Sequence, residues 1–236
     1  MIKNINSYRI TARIVGIIYI LGFVVGIGGE MLIKSVLNKP DYLSIVSANS
    51  MTIAIGALLW MMAVLWDALH GVLMFPILKL HNKRIAVGYL AFRIMDATFI
   101  AIMVLFILLQ IPLASEYIKA VAPHTTYLQS LSAVLTQGSL YSYNIGMMTL
   151  GISGLMLCYT FYKTKLIPRI LAIWGLVGYA IIFLGMASEI MGSGLSLISS
   201  LPGGLWELFI GFWLIFKGFN TSAFSNLTEQ KTMKNI

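Results

Sequence analysis

Six long apolar segments account for most of this chain of 236 residues, and they decide which solvent it folds in. Hydrophobic residues make up 59% of the sequence and charged residues only 10%, whereas a soluble domain carries about 25% charged residues. A water-soluble fold of this length needs more polar surface than these residues supply. The composition therefore predicts an all-α polytopic membrane bundle, in which a hydrocarbon-facing surface removes that need.

Each apolar segment approaches the roughly 20 residues that a helix needs to cross a bilayer. The second is long enough to tilt, the fifth begins at Pro168, a favourable first-turn residue, and the sixth is short for a full span. We expect one transmembrane domain over residues 1–219 and a short polar tail over 220–236. The predicted spans are 10–33, 51–80, 86–113, 140–162, 168–191 and 204–219.

Basic residues are divided unequally between the two sides of this predicted bundle. Twelve lie on the side where the chain begins, three lie on the other side, and Arg93 lies within a helix. The positive-inside rule then predicts cytosolic N and C termini, and an even helix count preserves the alternation. Because the basic residues form short clusters between apolar segments, the net charge of +8 predicts contact with membrane lipid and no nucleic-acid partner. The twelve are Lys3, Arg9, Arg13, Lys79, Lys83, Arg84, Lys163, Lys165, Arg169, Lys217, Lys231 and Lys234, and the three are Lys34, Lys39 and Lys119.

Two segments outside the predicted spans also contain apolar residues. Residues 114–138 form the longest predicted loop, on the outer side, and their helical apolar spacing indicates a surface helix or a lid over a cavity. Residues 192–204 contain the helix breakers Pro202, Gly203 and Gly204, so they form either an interfacial loop or a re-entrant segment. A weak match between residues 13–23 and 169–179 leaves open a parallel repeat of the first and fifth helices.

Four polar residues are predicted near the middle of the membrane, where a charged side chain costs about 2.5–3.5 kcal/mol or more. Asp67 and His70 share one face of the second helix, and Arg93 and Asp96 share one face of the third. The two helices form a hairpin, so residues equally far from its turn lie at similar depth. We expect Arg93 to contact Asp67 or Asp96. Either an ion pair that locks the helices or a functional polar site accounts for this group.

A second candidate group lies near the predicted outer surface, where several helix ends carry polar residues. If these ends converge, three carboxylates line an outward-facing vestibule and attract a cation or a cationic ligand. The alternative is that each carboxylate reaches water or a helix dipole separately. The residues are Glu30, Glu189 and Glu207, with Tyr141, Tyr143 and Asn144 at the start of the fourth helix.

Sequence patterns for common catalytic chemistries are not found in this chain. It has no Gly-x-Ser-x-Gly elbow, no His-Glu-x-x-His pair and no phosphate-cradling glycine loop. The one cysteine, Cys158, cannot form an intrachain disulfide. Asp67 and His70 supply two metal ligands at most, and further ligands are not evident. We therefore predict no metal and no cofactor.

Three stretches of the sequence resemble a known family. They are ARIVGIIYILG over residues 12–22, RIMD over 93–96 and LPGGLWE over 201–207. Together they are similar to the bacterial membrane-protein family known as domain of unknown function DUF4386, over roughly residues 8–218. The resemblance implies a six-helix bundle in a bacterial cytoplasmic membrane. It implies no substrate and no reaction, so no catalytic role passes to any residue.

Three classes of function remain open for such a bundle. A non-catalytic membrane protein that binds a partner or a small hydrophobic ligand predicts an apolar pocket with a polar mouth. A small transporter or channel-like protein predicts a polar path that joins the Asp67–Arg93 group to Glu207. An intramembrane enzyme acting on a lipid-like substrate fits least, because acid, base and nucleophile are not visibly assembled. We favour the binding protein, with the transporter as the alternative.

Overall fold

The computed structural model describes residues 2–121 and 124–233, and the described chain is helical with short connections and no strand. Lys234, one of the predicted basic set, and the end of the predicted tail lie outside the described residues. The helices are α1 (Ile2–Leu37), α2 (Tyr42–Ala48), α3 (Ser50–His81), α4 (Lys83–Lys119), α5 (His124–Thr164), α6 (Arg169–Ile190), α7 (Ser196–Phe216) and α8 (Thr221–Met233).

Six of these helices are long and apolar enough to cross a membrane, namely α1 from Tyr8, α3, α4, α5, α6 and α7. This confirms the predicted all-α bundle with six spans. On α7, for example, exposed apolar side chains recur every three or four residues and form a stripe suited to lipid, which consists of Ile198, Leu201, Leu205, Phe209, Phe212 and Phe216.

The six spans form a closed ring, because each packs against two neighbours. The order around the ring is α1, α3, α4, α5, α6 and α7, and α7 packs back against α1. Close approach of α6 and α7 depends on small residues: a Cβ atom built on Gly178 would lie 2.9 Å from the Gly203 Cα atom. A ring of this kind gives every span one face towards lipid and one face towards a common centre.

The predicted outer loop over residues 114–138 is wrong. Helix α4 continues to Lys119 and α5 already begins at His124, so the amphipathic stretch around Leu128 is part of a spanning helix. Hydrogen bonds stabilise this extension, because the buried Gln110 side chain accepts from Ser132 Oγ at 2.6 Å and donates to Thr136 Oγ1 at 3.1 Å. The paired polar groups allow α4 and α5 to remain packed beyond the hydrophobic segments.

The predicted start of the sixth span at Gly204 is also wrong, since α7 begins at Ser196. Only a short turn separates it from α6, and residues 192–204 are therefore neither a long interfacial loop nor a re-entrant segment. Pro202 is tolerated inside the helix, where its carbonyl oxygen accepts a hydrogen bond from Trp174 Nε1 at 3.2 Å. The Glu189 carboxylate accepts from the Ser196 backbone N–H at 3.0 Å and so caps the helix.

The polar tail that begins at residue 220 contains helix α8. Asn220 Oδ1 accepts from the Ser222 backbone N–H at 3.1 Å, as a helix cap does. Phe224 is buried, and its ring lies 4.0 Å from that of Tyr8 between centroids. The tail is therefore docked through at least one apolar contact against the start of the first span.

Candidate functional site

Arg93 joins α4 to α3 in the interior of the ring. Its guanidinium is bonded to the Asp67 carboxylate on α3 and lies 3.4 Å from Asp96 Oδ2, one turn along α4. The Arg93 side chain is 5% exposed and that of Asp96 is 2% exposed. The predicted contact of Arg93 with Asp67 or Asp96 is confirmed, because both acids meet it.

A glycine makes room for this ion pair. A Cβ atom on Gly71 of α3 would lie 3.1 Å from the Arg93 Cβ atom, so the two helix backbones approach closely at this level. Asp67 and Gly71 are four residues apart and share a face of α3. The same small residue that admits α4 therefore brings the Arg93 side chain within reach of the Asp67 carboxylate.

His70 lies one turn from Asp67 and belongs to the same interior group. Its Nδ1 atom is 2.6 Å from the Tyr89 hydroxyl of α4, and its ring centroid is 4.7 Å from that of Tyr19 on α1. Tyr19 also meets Trp206 of α7 edge-on, at 6.4 Å between ring centroids. Two helices, α1 and α4, therefore contribute tyrosines against the buried imidazole, and α7 contacts this group through Tyr19.

Glu207 belongs to this central group and not to an outer vestibule, which corrects its predicted place. It lies eleven residues into α7 from Ser196, or roughly 16 Å along the helix, because that helix begins earlier than predicted. Tyr179 of α6 donates its hydroxyl hydrogen to Glu207 Oε1 at 2.7 Å. The Glu207 carboxylate is also close enough to Arg93 to interact with it electrostatically.

The other predicted vestibule residues do not converge into one group. Glu30 pairs with Lys34 on its own helix at 2.9 Å, and Glu189 caps α7. Tyr141 is exposed and Asn144 is buried. These residues therefore have separate environments, as the alternative to a common vestibule supposes.

Tyr143 of α5 lies near both Glu30 and the centre of the ring. Its hydroxyl group is close enough to Glu30, Asp96 and Glu207 for electrostatic interaction with each. Its ring packs edge-on against Trp60 of α3, at 6.4 Å between centroids. The Tyr143 hydroxyl group thus lies within electrostatic range of carboxylates on α1, α4 and α7.

Several buried polar atoms of the central group have no hydrogen-bond partner in the part of the chain that the structure describes. They are His70 Nε2, Arg93 Nε and Asp96 Oδ2. Asp96 Oδ2 lies 3.4 Å from Arg93 Nη1, but the geometry is not that of a hydrogen bond. A buried polar atom without a partner costs about 1–3 kcal/mol. The centre of the ring therefore holds buried polar atoms whose hydrogen-bonding capacity is not used by the described residues.

Two of the central carboxylates are accessible from the ring interior. Asp67 is 35% exposed, but it does not face lipid. Leu65 and Leu69 belong to the exposed apolar stripe of α3, and Asp67, two residues from each, lies about 200° around the helix from them. Glu207 is half-buried and has the same relation to Leu205 and Phe209 on α7. Their exposure therefore indicates space inside the ring.

The shape of this space differs between the two ends of the bundle. Towards the end that carries Lys79, Arg84 and Lys165, termed here the basic end, the interior is filled by fully buried side chains, among them Met74, Ile77, Leu78, Ala86 and Leu166. Towards the opposite end, Gly26 and Glu30 of α1 are half-buried on its interior face, and a Cβ atom on Gly22 would have no neighbour within 4 Å. The interior is therefore filled at the basic end. At the Glu30 end a second buried cluster, which includes Val46 and Ile53, fills the side of α2, α3 and α4, and the free space lies along α1 near Gly22 and Gly26.

The central tyrosines Tyr19, Tyr89 and Tyr179 were not predicted as site residues. A signal was present for Tyr19 and Tyr179, because interfacial tyrosines belong at helix ends and these two lie well inside their spans. Tyr89 lies six residues from the start of α4 and carries no such signal. Within the described residues, no group of three or more His, Cys, Asp or Glu side chains is arranged to hold a metal ion. Cys158 is buried in the closed half of the bundle.

Comparison with protein-family models matches residues 14–218 to a family described as domain of unknown function DUF4386. The match covers most of the chain, so the chain belongs to this family, and the resemblance predicted from its motifs is confirmed. Searches of curated proteins and of solved structures found no match.

Proposed function

We propose that this chain is a small membrane transporter that takes up a proton or a small cation at the centre of its six-helix ring. The charge of the central group carries the proposal. One guanidinium, that of Arg93, pairs with Asp67 and Asp96 and lies within electrostatic range of a third carboxylate, that of Glu207. If all are ionised, two negative charges remain uncompensated, and charges at this depth require neutralisation. A proton or a cationic ligand supplies it.

The opening of the ring supports the same proposal. Asp67 and Glu207 are accessible from the interior, which is filled at the basic end and has free space along α1, near Gly22 and Gly26, on the Glu30 side. In the alternating-access mechanism, the binding site of a transporter is accessible from one side of the membrane and closed to the other in each state. The interior of this ring has that form. Tyr143, which is near both Glu30 and the central acids, supplies a hydroxyl along the approach.

The orientation of the bundle is part of this proposal. The excess of basic residues at one end favours a cytosolic location for that end, in which case the ring opens away from the cytosol. The membrane concerned is the bacterial cytoplasmic membrane that the family resemblance implies. A site open to the outside and rich in carboxylates would load from the more acidic side of such a membrane.

The two other interpretations predict different behaviour. A non-catalytic protein that binds a hydrophobic ligand would be stabilised by that ligand and would not transport protons or cations. An intramembrane enzyme needs a nucleophile or an activated water, and His70, the buried base of the group, instead bonds Tyr89 and packs against Tyr19. The excess of carboxylates has no role in either interpretation, and for this reason the transporter accounts for more of the site.

Proton flux into liposomes tests the proposal. Purified protein is reconstituted with a trapped pH-sensitive dye, and a potassium gradient with valinomycin makes the interior negative. We expect faster acidification than in protein-free liposomes, and a drop of about tenfold with Asp67→Asn or Glu207→Gln. Sodium, guanidinium and tetramethylammonium gradients are applied in parallel, since a coupled cation would change the proton flux.

A matched control removes a carboxylate elsewhere. Glu116→Gln deletes an exposed acid that pairs with Lys119 at 3.0 Å, and it should leave the flux unchanged. Wild-type liposomes that are as tight as protein-free ones to protons and to all three cations would contradict the transporter. Equal losses in Glu116→Gln and Glu207→Gln would contradict the assignment of the central site.

A further inference from the structure

A cavity of about 510 Å³ opens at the basic end, between the α5–α6 connection and the end of α7. The Asn220 backbone N–H donates to the Leu166 carbonyl oxygen at 2.8 Å and ties the two connections together. A second cavity of about 360 Å³ adjoins it, and the two share Lys217, Phe219 and Asn220 as lining residues. Together they form one groove around Lys217, termed here the basic groove.

The lining of the basic groove carries positive charge without acids. Lys165, Arg169 and Lys217 line the first cavity and Arg9 lines the second, while neither cavity is lined by Asp or Glu. In the described part of the chain, none of these four residues forms an ion pair with a carboxylate. Arg169 lies over the Tyr162 ring, at 5.2 Å from its centroid. Four cations around one groove repel one another, and an anion bound among them would relieve that repulsion.

The backbone adds donors to the same groove. Helix α6 begins at Arg169, and its N-cap residue Pro168 makes no side-chain capping bond. Both residues line the first cavity. The Leu171 and Ala172 N–H groups donate to the Pro168 carbonyl oxygen, so the N–H groups of Arg169 and Ile170 are the ones at this helix start that no backbone bond uses in the described chain. A helix start of this kind favours anions, phosphate among them. Its dipole acts in the same direction as the charges of Lys165 and Lys217.

The position of the groove selects the kind of anion. It lies where the spans α6 and α7 meet the membrane surface, and its lining includes the amphipathic ring of Trp213 beside the buried Phe219. Tryptophan is typical of this interfacial depth. A basic pocket between spans at the surface suits a lipid headgroup, whose phosphate meets the cations while its chains remain in the bilayer.

We propose that the basic groove binds a phosphate group, and that the headgroup of an anionic phospholipid in the adjacent leaflet supplies it. Lys165, Arg169 and Lys217 contact the phosphate oxygens, together with the N–H groups at the start of α6. This site is separate from the central carboxylates and its existence does not depend on transport. Inorganic phosphate is the other source of the same chemistry, and the experiment distinguishes the two.

Thermal unfolding in a neutral detergent tests the groove directly. The wild-type chain is titrated with short-chain phosphatidylglycerol, with phosphatidylcholine of the same chain length, and with inorganic phosphate against chloride at equal ionic strength. Two triple variants are compared, namely Lys165→Gln/Arg169→Gln/Lys217→Gln in the groove and Lys79→Gln/Lys83→Gln/Arg84→Gln on the α3–α4 turn. Both remove three charges from the same end of the bundle.

We expect phosphatidylglycerol to raise the melting temperature of the wild-type chain and of the α3–α4 control, and phosphatidylcholine to have little effect. The groove variant should need about tenfold more phosphatidylglycerol for the same rise. An equal response to inorganic phosphate, lost in the groove variant, supports the site with free phosphate as its source. Loss of the response in both triple variants, or retention in both, overturns the proposal. The single variant Lys217→Gln, which should weaken the response partly, replaces the triple variant if the latter fails to fold.

Discussion

Arg93 on α4 is bonded to Asp67 on α3, and this ion pair lies in a ring interior that holds two further carboxylates. The pair therefore does more than join two helices, because it leaves the centre of the bundle with more acids than bases. The proposed transport of a proton or a small cation depends on that imbalance.

Removal of Arg93 should destabilise the protein strongly. Arg93→Ala leaves Asp67 and Asp96 without their cation at depth, and breaking a buried pair in this way costs about 3–5 kcal/mol. Melting in detergent should fall clearly, and Asp67→Asn with Asp96→Asn should recover part of the loss. Arg84→Ala, at the exposed turn between α3 and α4, serves as the control and should melt like the wild type. An unchanged melting temperature in Arg93→Ala would contradict a stabilising role for the buried ion pair.

Substitution by leucine should have different effects on stability at two glycines. Gly178→Leu would drive a side chain into the Gly203 backbone and separate α6 from α7, so the melting temperature should fall. Gly22→Leu enters open space on the interior face of α1, so stability should be kept while proton flux falls. Flux through Gly22→Leu at the wild-type rate would show that the open space near Gly22 is not on the path.

The polar contacts of Gln110 should matter for stability and not for transport. Gln110→Leu removes a buried side chain that accepts from Ser132 and donates to Thr136 and to the Ser132 carbonyl, which leaves partners unpaired at about 1–3 kcal/mol. Melting in detergent should fall, and flux per folded protein should stay unchanged. Ser130→Ala is the control, because it removes only an exposed hydrogen bond to the Thr126 carbonyl oxygen on the same helix and should change the melting temperature little. A large loss of flux in Gln110→Leu would extend the functional site to this region.

Cysteine labelling should show which end of the ring is open. In a Cys158→Ser background, Gly26→Cys should react in intact cells with a thiol reagent that does not cross membranes. Lys83→Cys, at the basic end, should react only after lysis. Ala86→Cys should resist labelling in both cases, because Ala86 is fully buried in the closed half. The reverse pattern for Gly26→Cys and Lys83→Cys would invert the proposed orientation.

The sequence predicts the Arg93 pair well because both of its determinants are local. An ionised side chain in hydrocarbon must have a companion, and the hairpin register of α3 and α4 limits the choice to acids at the same depth. The six spans follow from length and hydropathy in the same way. These features need no knowledge of how distant helices pack.

The misplacement of Glu207 has the opposite origin. Pro202 and Gly203 read as breakers, but Gly203 packs against Gly178 and the Pro202 carbonyl receives Trp174, so tertiary contacts keep α7 helical through them. The eight additional residues then move Glu207 from a helix end to the membrane interior. The extension of α4 and α5 beyond the hydrophobic segments depends likewise on Gln110 and Ser132, whose partners are distant in sequence. Contacts of this kind are not visible in a periodic pattern.

Infrared spectroscopy of the purified protein tests the central claim most directly, because a protonated carboxyl group has its own carbonyl-stretch band. The claim is that the ring interior holds positive charge beyond Arg93, as a proton or as a cation in its place. We predict such a band at neutral pH, its loss or weakening in Asp96→Asn or Glu207→Gln, and its persistence in Glu116→Gln. Two results together would contradict this claim. The first is that the wild-type protein shows no such band, whether or not sodium or guanidinium is present. The second is that neither cation shifts its melting temperature.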